Sequence, residues 1–465
     1  MVYLFQLRAD TLRDIMGSIL KRQKLSEEQY EDRISNLPNS LIAQILSRLP
    51  TKYAVSTSVL STRWKQLWTS ITSFDIDDQL LLCPQNKSTD PLLQRSFTSF
   101  VCRVLLHHVS CVQRFRLKCS QSYDASLVNG WIADTLLRNV RELDLDLSFR
   151  MEHSTMLPQD LFTCSTLVVL KLKTYGDMNT VPTSVSLPSL RILHLFGIEF
   201  VDGDSINRFL FGCPLLEELR MYQCVGENVS LINIVAPMLT SLFMHDCLFG
   251  YVRPPHGFER KIVLDTPALL YLTISDSAAD GSYSIENLHH LIRADICLYA
   301  WDMEMGSIET DASAISKALT DLFKGMANVQ FLHLNVMMED IYMCDCQLPK
   351  FPNMTYLELG DVRGVRWKFL PELLENSPRL ETLVFKEGLG YEYGMFPQSS
   401  WNLAQNVVPS CLLFHLKVME ITDFNGSKEE WEIVDYFLQN AKVLEKLNID
   451  YGCGGSKWTI HASRT

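Results

Sequence analysis

The sequence lacks the features that mark several large classes of protein. No apolar run reaches the roughly 18 residues that a membrane-spanning helix needs, and charges at Arg8, Asp10, Arg13 and Asp14 make the N-terminus a poor signal peptide. Lysine and arginine number 42 against 54 aspartates and glutamates, and the resulting net charge of −12 argues against a nucleic-acid-binding surface. We therefore expect neither nucleic acid nor a membrane among the partners.

Motifs for metal binding and for catalysis are missing as well. The 13 cysteines are scattered without a CxxC pair, Cys344 and Cys346 are only one residue apart, and the histidine pairs at 107–108 and 289–290 are adjacent rather than four apart. There is no Walker A loop, GxSxG elbow or HExxH motif. Scattered cysteines suit a reducing compartment. We expect no metal, no cofactor and no catalytic residue, and an intracellular location in the nucleus, the cytoplasm or both.

Three short amphipathic segments do lie between residues 31 and 68. Pro38 suits the first turn of a helix and Pro50 would stop it. Thr51 is a candidate N-cap for a second helix, and Ser61 or Thr62 for a third. The apolar positions at helical spacing are Leu41, Ile42, Ile45, Leu46 and Leu49, then Ala54, Val55 and Val59, then Trp64, Leu67 and Trp68.

Fewer than about forty residues cannot bury a stable core alone, so this segment predicts a docking element whose core a partner completes. An ordinary N-terminal helical subdomain that closes on itself is the other interpretation of the same pattern. The pattern alone leaves both open.

The order of the residues resembles the plant F-box, which opens DRIS-x-LP and ends VLS-x-RW-x-x-LW, as residues 32–38 and 59–68 do here. The resemblance implies docking on a Skp-type adaptor, and through it on the cullin and RING subunits of an SCF ubiquitin ligase. The predicted adaptor-binding residues are Leu37, Pro38, Leu41, Ile45, Leu46, Leu49, Pro50, Val55, Val59, Leu60, Arg63, Trp64, Leu67 and Trp68.

A second pattern, apolar-x-x-apolar-x-apolar, recurs beyond this segment at intervals of mostly about 23 to 30 residues, near the range of leucine-rich repeats. It predicts a solenoid with one parallel strand per repeat and with helices or loops on the convex side. A proline often precedes the strand, and Cys224 and Cys247 suggest a partial ladder. The motif begins at Val112, Val140, Leu167, Leu190, Leu216, Leu239, Leu269, Val329, Met354, Leu380, Leu416 and Leu444, with a degenerate copy at Leu291.

The C-terminal part, from Trp401 to Ile449, resembles the plant FBD domain. Ser427 and Glu430 predict a capping box, after which Trp431, Val434, Phe437, Leu438 and Ala441 would share one helix face. Such a unit would cap the solenoid. The glycine-rich tail after it is expected to fray.

We thus predict an α/β fold in which a small three-helix F-box precedes an irregular leucine-rich-repeat solenoid that an FBD unit caps. F-box, repeats and FBD in this order form a known plant architecture. The predicted boundaries are 1–30 for a partly disordered extension, 31–78 for the F-box, 105–400 for the repeats, 401–450 for the FBD domain and 451–465 for a flexible tail.

The leading functional hypothesis is a non-catalytic subunit that recruits an unidentified target protein to the ligase. A non-proteolytic F-box scaffold is an alternative, and a small-molecule co-receptor is a lesser one. An enzyme on a repeat scaffold has no supporting motif. Target-binding residues stay unassigned, because a solvated or loop-packed position is the simpler interpretation of each candidate. Those candidates are Arg220, Tyr222, Phe243, His245, Tyr271 and His333.

Overall fold

The computed structural model describes most of the chain in sixteen segments. The predicted extension 1–30 and the beginning of the predicted FBD domain, 401–407, lie outside them. The segments are residues 34, 36–80, 91–108, 111–147, 157–178, 184–200, 203–224, 229–247, 260–277, 281–286, 288–299, 312–337, 348–360, 366–389, 408–452 and 457–461.

The predicted F-box begins with two short α-helices, α1 (Asn39–Leu46) and α2 (Thr51–Ser56). Pro38 and Pro50 occupy their N-cap positions, so the predictions that Pro38 lies in the first turn and that Thr51 is an N-cap are wrong. The physical reason is that the φ of a proline also fits an extended cap residue, whose carbonyl accepts the first helical N–H groups. Thr51 Oγ1 instead accepts a hydrogen bond from the backbone N–H of Asp75 at 2.9 Å.

The third helix of this segment is a 3₁₀-helix, Trp64–Ser70, and a shorter one, Thr57–Val59, extends α2. Arg63 occupies the N-cap position of the helix Trp64–Ser70, and no side chain caps that helix. The prediction that Ser61 or Thr62 is its N-cap is therefore wrong. The predicted face is confirmed, because Leu67 is buried and both tryptophans pack half-buried against the core.

The solenoid is confirmed: the described residues form one long sheet of fifteen strands, in which every neighbouring pair is parallel except the last. Each of the twelve motif copies, and the degenerate copy at Leu291, leads into one of these strands. The strands are β1 (Ser73–Asp77), β2 (Arg114–Lys118), β3 (Glu142–Leu147), β4 (Val169–Met178), β5 (Ile192–Phe200), β6 (Glu218–Tyr222), β8 (Ser241–His245), β10 (Tyr271–Ser277), β12 (Arg293–Tyr299), β13 (Phe331–Met337), β14 (Tyr356–Leu359), β15 (Thr382–Phe385), β16 (Val418–Ile421), β17 (Lys446–Asp450) and β18 (Lys457–His461).

The prolines that precede the strands lie in turns. Pro188 follows Leu187, whose carbonyl accepts the N–H of Leu190 at 3.1 Å, which places the proline at the second position of a four-residue turn. That position favours proline, because the ring presets the φ that the turn requires. The same turn recurs before five other strands, where the N–H of the first motif residue donates to the carbonyl three residues earlier and a proline lies two residues before it. These motif residues are Leu216, Leu239, Leu269, Met354 and Leu380.

Three strands that the sequence analysis missed form a second parallel sheet on the other side of the core, where helices or loops were predicted. They are β7 (Leu231–Val235), β9 (Arg260–Asp265) and β11 (Gly281–Glu286), in the order β11-β9-β7. Alternation explains β7, because Ile232 and Ile234 are buried while Leu231 and Val235 are exposed. The repeats in this part of the solenoid therefore contain two strands each.

The helices of the solenoid lie in the same layer as that second sheet. Two of them pack on its strands, α5 (Gly203–Phe211) on β7 and α6 (Ala312–Gly325) on β11. No helix in the described part of the chain is long and apolar enough to cross a membrane. The helices that come after the predicted F-box are α3 (Pro91–His107), α4 (Ala125–Leu136), α5 (Gly203–Phe211), α6 (Ala312–Gly325), α7 (Arg366–Asn376), α8 (Ser410–Phe414) and α9 (Lys428–Asn440).

The two-residue cysteine ladder is present. The Sγ of Cys224 donates to the carbonyl of Leu195 at 3.1 Å, and the Sγ of Cys247 donates to the carbonyl of Met221 at 3.4 Å. Each thiol thus bonds to the strand of the preceding repeat. Burial raises the pKa of Cys224 to about 12, so the thiol keeps its proton and remains a donor.

The capping box at α9 is confirmed. Ser427 Oγ accepts the N–H of Glu430 at 3.2 Å, and Glu430 Oε2 accepts the N–H groups of Ser427 and Asn425, each at 3.1 Å. The predicted helix face is partly wrong, because Trp431 and Leu438 are exposed. The helix is rotated so that Glu430 and Ile433 join the buried side, where the Glu430 carboxylate meets several backbone donors.

The tail does not simply fray. Lys457–His461 forms β18, which pairs antiparallel with β17, so the prediction of a flexible tail is wrong for these residues. Without β18, the strand β17 would expose a row of unpaired backbone groups at the end of the sheet, and covering that edge is favourable.

We expect Ser427→Ala to lower the free energy of unfolding by about 1 kcal/mol, since it removes the acceptor for the N–H of Glu430. Ser427→Thr keeps the hydroxyl and should stay close to the parent. Urea unfolding of both variants measures the difference. Equal stability of the alanine and threonine variants would contradict a role of this cap.

Candidate functional site

The first helix of the predicted F-box carries two neighbouring stripes of apolar side chains, offset by one residue around the helix. Ile42 and Leu46 are 0% and 1% exposed and pack in the core of the chain. Leu41 and Ile45 are 43% and 48% exposed. Both pairs are four residues apart, so each forms its own stripe along α1. One stripe therefore stabilises this chain, while the other is exposed on its surface.

Exposed apolar side chains continue beyond α1. Of the large apolar side chains that are exposed in the described part of the chain, seven lie between residues 34 and 60. Such a concentration on a unit of this size marks an interaction surface. We call these seven the F-box apolar face: Ile34, Leu41, Ile45, Leu49, Tyr53, Val59 and Leu60.

The other predicted adaptor-binding residues are placed differently. Leu46 and Leu67 are buried, and they pack in the core of this chain rather than offering surface to a partner. Pro38 is exposed beside α1. The half-buried ones are Leu37, Pro50, Val55, Trp64 and Trp68.

Arg63 closes the predicted F-box on itself. Its Nε and Nη2 donate to Asn39 Oδ1 at 3.0 and 2.8 Å, and Nη2 also donates to the carbonyl of Leu37. These hydrogen bonds join the beginning of α1 to the residue that precedes the 3₁₀-helix. Arg63 therefore shapes the surface on which a partner would bind.

The charged residues within the stretch 34–72, which contains the F-box apolar face, are all basic. Residues 34–72 contain Arg48, Lys52, Arg63 and Lys65 and no aspartate or glutamate, although the whole chain carries a net charge of −12. A partner surface that complements this segment would have an apolar centre and carboxylates at its rim.

Within the described residues, the predicted F-box continues directly into the long sheet of the solenoid. Its last residues form β1, whose register with β2 pairs Phe74 with Phe115 and Ile76 with Leu117. Asp78 follows β1 and is fully buried. Its carboxylate accepts hydrogen bonds from the N–H and the hydroxyl of Ser120, both at 2.8 Å, from the N–H of Gln121 at 3.1 Å and from the hydroxyl of Tyr123 at 3.1 Å.

Other contacts cross the same junction. The Nδ1 of His108 lies 3.0 Å from the carbonyl of Thr69, and the ring of His108 packs edge-on against Phe74. Lys52 donates to the carbonyl of Leu80. The F-box apolar face thus keeps a fixed orientation relative to the first repeats. This junction was not predicted: the motif copy that leads into β1, with Ile71, Phe74 and Ile76 as its apolar positions, falls inside the predicted F-box, and no sequence pattern singles out Asp78.

The open face of the long sheet, opposite the core, presents the residues that alternate with the buried leucines. They form a continuous row across the strands, and the candidates Arg220, Phe243 and His333 belong to it. In strand order the row is Asp75, Arg116, Asp144, Lys171, His194, Arg220, Phe243, Thr273, Asp295, His333, Glu358, Val384, Glu420 and Asn448.

The first four strands of the open face alternate in charge, and their charges pair with one another. Arg116 Nη1 lies 2.8 Å from Asp75 Oδ1, and its Nε lies 3.7 Å from Asp144 Oδ2. Lys118 pairs with Asp77 at 3.4 Å. Five cations face five carboxylates here, so this part of the open face has no net charge. They are Arg114, Arg116, Lys118, Lys171 and Lys173 against Asp75, Asp77, Glu142, Asp144 and Asp146.

Aromatic rings join the polar residues of the open face at β5, β6 and β8. Phe196 lies 5.9 Å from Tyr222, and Tyr222 stacks on His245 with centroids 4.5 Å apart. Phe243 lies beside His245 at 6.3 Å. Of the six candidates, Tyr222, Phe243 and His245 thus form one cluster on the open face.

A groove of about 380 Å³ lies on the open face between the paired charges and this aromatic cluster. Val169 and Ile192 contribute apolar surface, and Lys171, His194 and Glu218 contribute polar groups. His194 Nε2 lies 2.9 Å from Glu218 Oε1, but burial lowers the pKa of His194. Within the described residues, no group of three or more His, Cys, Asp or Glu side chains could hold a metal ion.

Three protein-family models match the chain in the order that the sequence predicts. The F-box domain matches residues 34–75, the LRR repeats of FBD-associated F-box protein At5g56370 match residues 128–293, and FBD matches residues 405–449.

Similar proteins come from Arabidopsis thaliana. F-box/LRR-repeat protein At3g59200 is 35% identical over 90% of this chain and 82% of its own length. F-box/FBD/LRR-repeat protein At4g26340 is 31% identical over 89% of this chain and 91% of its own length. Among solved structures, the Rad7 and Elc1 complex in yeast has a TM-score of 0.33 and 15% identity over 84% of this chain and 96% of that chain, values too low to carry an argument.

Proposed function

Since the chain belongs to the F-box/LRR-repeat family of plants, we propose that it is a substrate-recognition subunit of an SCF-type ubiquitin ligase. The F-box docks on a Skp-type adaptor, which connects it to the cullin and RING subunits. The repeats bind the target protein on the open face of the sheet.

The F-box apolar face is the observation that carries this proposal. Its side chains are exposed, whereas the neighbouring stripe of Ile42 and Leu46 is buried in the core. Covering exposed apolar surface with a partner lowers the free energy by about 25 cal/mol per Å². The basic residues around it favour an adaptor surface that carries carboxylates.

The junction between F-box and solenoid supports the second half of the proposal. Because β1 belongs to the long sheet and Asp78 is buried against the first repeats, a target on the open face would be held at a fixed distance from the ligase core. Tethering raises the local concentration of target lysines near the charged E2, which accelerates ubiquitin transfer without catalytic chemistry in this chain.

Co-expression of the full chain with a Skp-type adaptor tests the proposal. We expect a complex of one chain and one adaptor in size-exclusion chromatography with light scattering. When cullin, RING subunit and charged E2 are added, ubiquitin should appear on lysines within the complex.

The two readouts separate the functional alternatives. A well-folded chain that forms no complex with the adaptor would contradict the proposal. A stable complex that never acquires ubiquitin would instead favour the non-proteolytic scaffold.

A further inference from the structure

The open face changes in charge beyond β8. Between β8 and β16 it carries the carboxylates Asp295, Glu358 and Glu420 in its central row, while Asp246 and Glu387 follow β8 and β15. Within the described part of this face, two cations accompany these five carboxylates. They are Arg293, which donates to both oxygens of Asp295, and Lys386, which lies 3.9 Å from Glu358.

Two groups in this region, a phenol and a guanidinium, have a pKa that nearby carboxylates help to raise. Burial and then the nearby Glu358 and Glu420 raise the pKa of Tyr356. The pKa of Arg293 is raised chiefly by its hydrogen bond to Asp295, and Glu358 adds to the effect. The carboxylates of this region therefore act across neighbouring strands, Glu420 of β16 on Tyr356 of β14 and Glu358 of β14 on Arg293 of β12.

Aromatic rings lie among these carboxylates. Tyr271 and Phe331 are 49% and 39% exposed, and Phe331 packs against Tyr356 with centroids 6.0 Å apart. The phenol of Tyr356 donates to Glu358 Oε2 at 2.6 Å, so that a ring and a carboxylate are held side by side. The register places Tyr271, Arg293, Phe331 and Tyr356 in one row across β10 to β14.

A ring face beside a carboxylate suits a guanidinium or an ammonium group. The face of an aromatic ring attracts a cation within about 6 Å of its centroid, and a carboxylate adds a charge-assisted hydrogen bond. An acidic segment would be repelled here. A purely apolar segment would cover carboxylates without giving them partners, which is costly.

We propose, building on the function proposed above, that the target docks through a lysine- and arginine-rich segment laid along the open face between β8 and β16. Asp295, Glu358 and Glu420 provide the carboxylates, and Tyr271, Phe331 and Tyr356 provide the rings. The strands β1 to β4 do not take part in this recognition, because their cations balance their carboxylates in number, whereas the carboxylates outnumber the cations between β8 and β16. A second copy of this chain is disfavoured as the occupant by its own net charge of −12.

Fluorescence anisotropy with the full chain tests this inference. The probe is a labelled peptide of alternating arginine and serine, and the matched control replaces arginine by glutamate. We expect saturable binding of the arginine peptide, weakened by salt, and no binding of the glutamate peptide. Light scattering of the chain alone checks for a dimer, and a dimer that occludes the open face would overturn the inference.

Two double variants distinguish peptide binding at this face from a general attraction of the peptide to an acidic protein. Glu358→Gln/Glu420→Gln keeps the hydrogen-bond acceptors and should weaken peptide binding by about tenfold or more. Asp160→Asn/Glu375→Gln removes the same charge from exposed positions outside the long sheet and should change the affinity by less than about twofold. Equal losses in both variants, or no binding by the parent, would overturn the inference.

Adaptor binding by the same preparations keeps the two proposals distinct. A chain that binds the adaptor but not the arginine peptide overturns the basic-segment inference alone. A chain that binds the peptide at Glu358 and Glu420 but never binds the adaptor contradicts the ligase assignment and leaves the basic-segment site standing.

Discussion

Ile45→Asp is expected to lower the affinity for a Skp-type adaptor by at least about 100-fold, which corresponds to about 2.7 kcal/mol. Ile45 lies on the exposed stripe of α1, and a carboxylate there would be buried without a partner when the adaptor covers the face. Folding should change little, because the side chain is already 48% exposed in the free chain. Titration calorimetry measures the affinity, and thermal unfolding checks the fold.

The control for this prediction is Leu137→Asp, which introduces the same charge at an apolar residue that is 81% exposed after α4. It should bind the adaptor as the parent does. If Ile45→Asp binds normally, α1 does not contribute to docking. If both variants lose binding, the effect comes from charge and not from the F-box apolar face.

Asp78→Ala is expected to lower the free energy of unfolding by about 3–5 kcal/mol. The substitution leaves two N–H groups and two hydroxyls without their acceptor at the junction of F-box and solenoid. Tyr123 cannot compensate by ionising, because burial is the largest cause that raises its pKa and the substitution does not remove that cause. Urea unfolding measures the loss.

Two further variants identify the cause of that loss. Asp78→Asn keeps one acceptor oxygen and should lie between alanine and the parent. Asp160→Ala removes an exposed carboxylate in the 3₁₀-helix Gln159–Thr163 and should change stability by less than about 0.5 kcal/mol. If Asp78→Ala is as stable as Asp160→Ala, the buried carboxylate does not hold the junction.

Strand positions in the solenoid could be predicted, because each repeat needs inward leucines two residues apart. Leu193 and Leu195 are buried while His194 faces outward, and the same alternation recurs at Leu219 and Met221. The repeat period therefore predicted even β12, whose motif copy at Leu291 is degenerate. The segment after each strand is less constrained, since a helix or a second strand can cover the same core. That freedom explains why β7, β9 and β11 escaped prediction.

Which side of a short helix is buried depends on the elements against which it packs. In α9, Trp431 fitted an apolar stripe, yet the helix turns Glu430 inward, because the buried carboxylate satisfies the N–H groups of Asn425 and Ser427. In α1 both stripes are apolar, so the sequence alone could not tell the internal stripe from the exposed one. The assignment of individual residues to adaptor binding stays a prediction for that reason.

Hydroxyl-radical footprinting of the full chain, with and without a saturating Skp-type adaptor, tests the central claim most directly. Oxidation of a side chain reports its exposure, so the account predicts that Ile45, Tyr53 and Leu60 are protected by the adaptor. Leu137 and Phe211, which are also exposed but lie in the solenoid, should be oxidised as before. Protection of the solenoid residues, or adaptor binding that leaves the F-box apolar face fully oxidised, would contradict the claim.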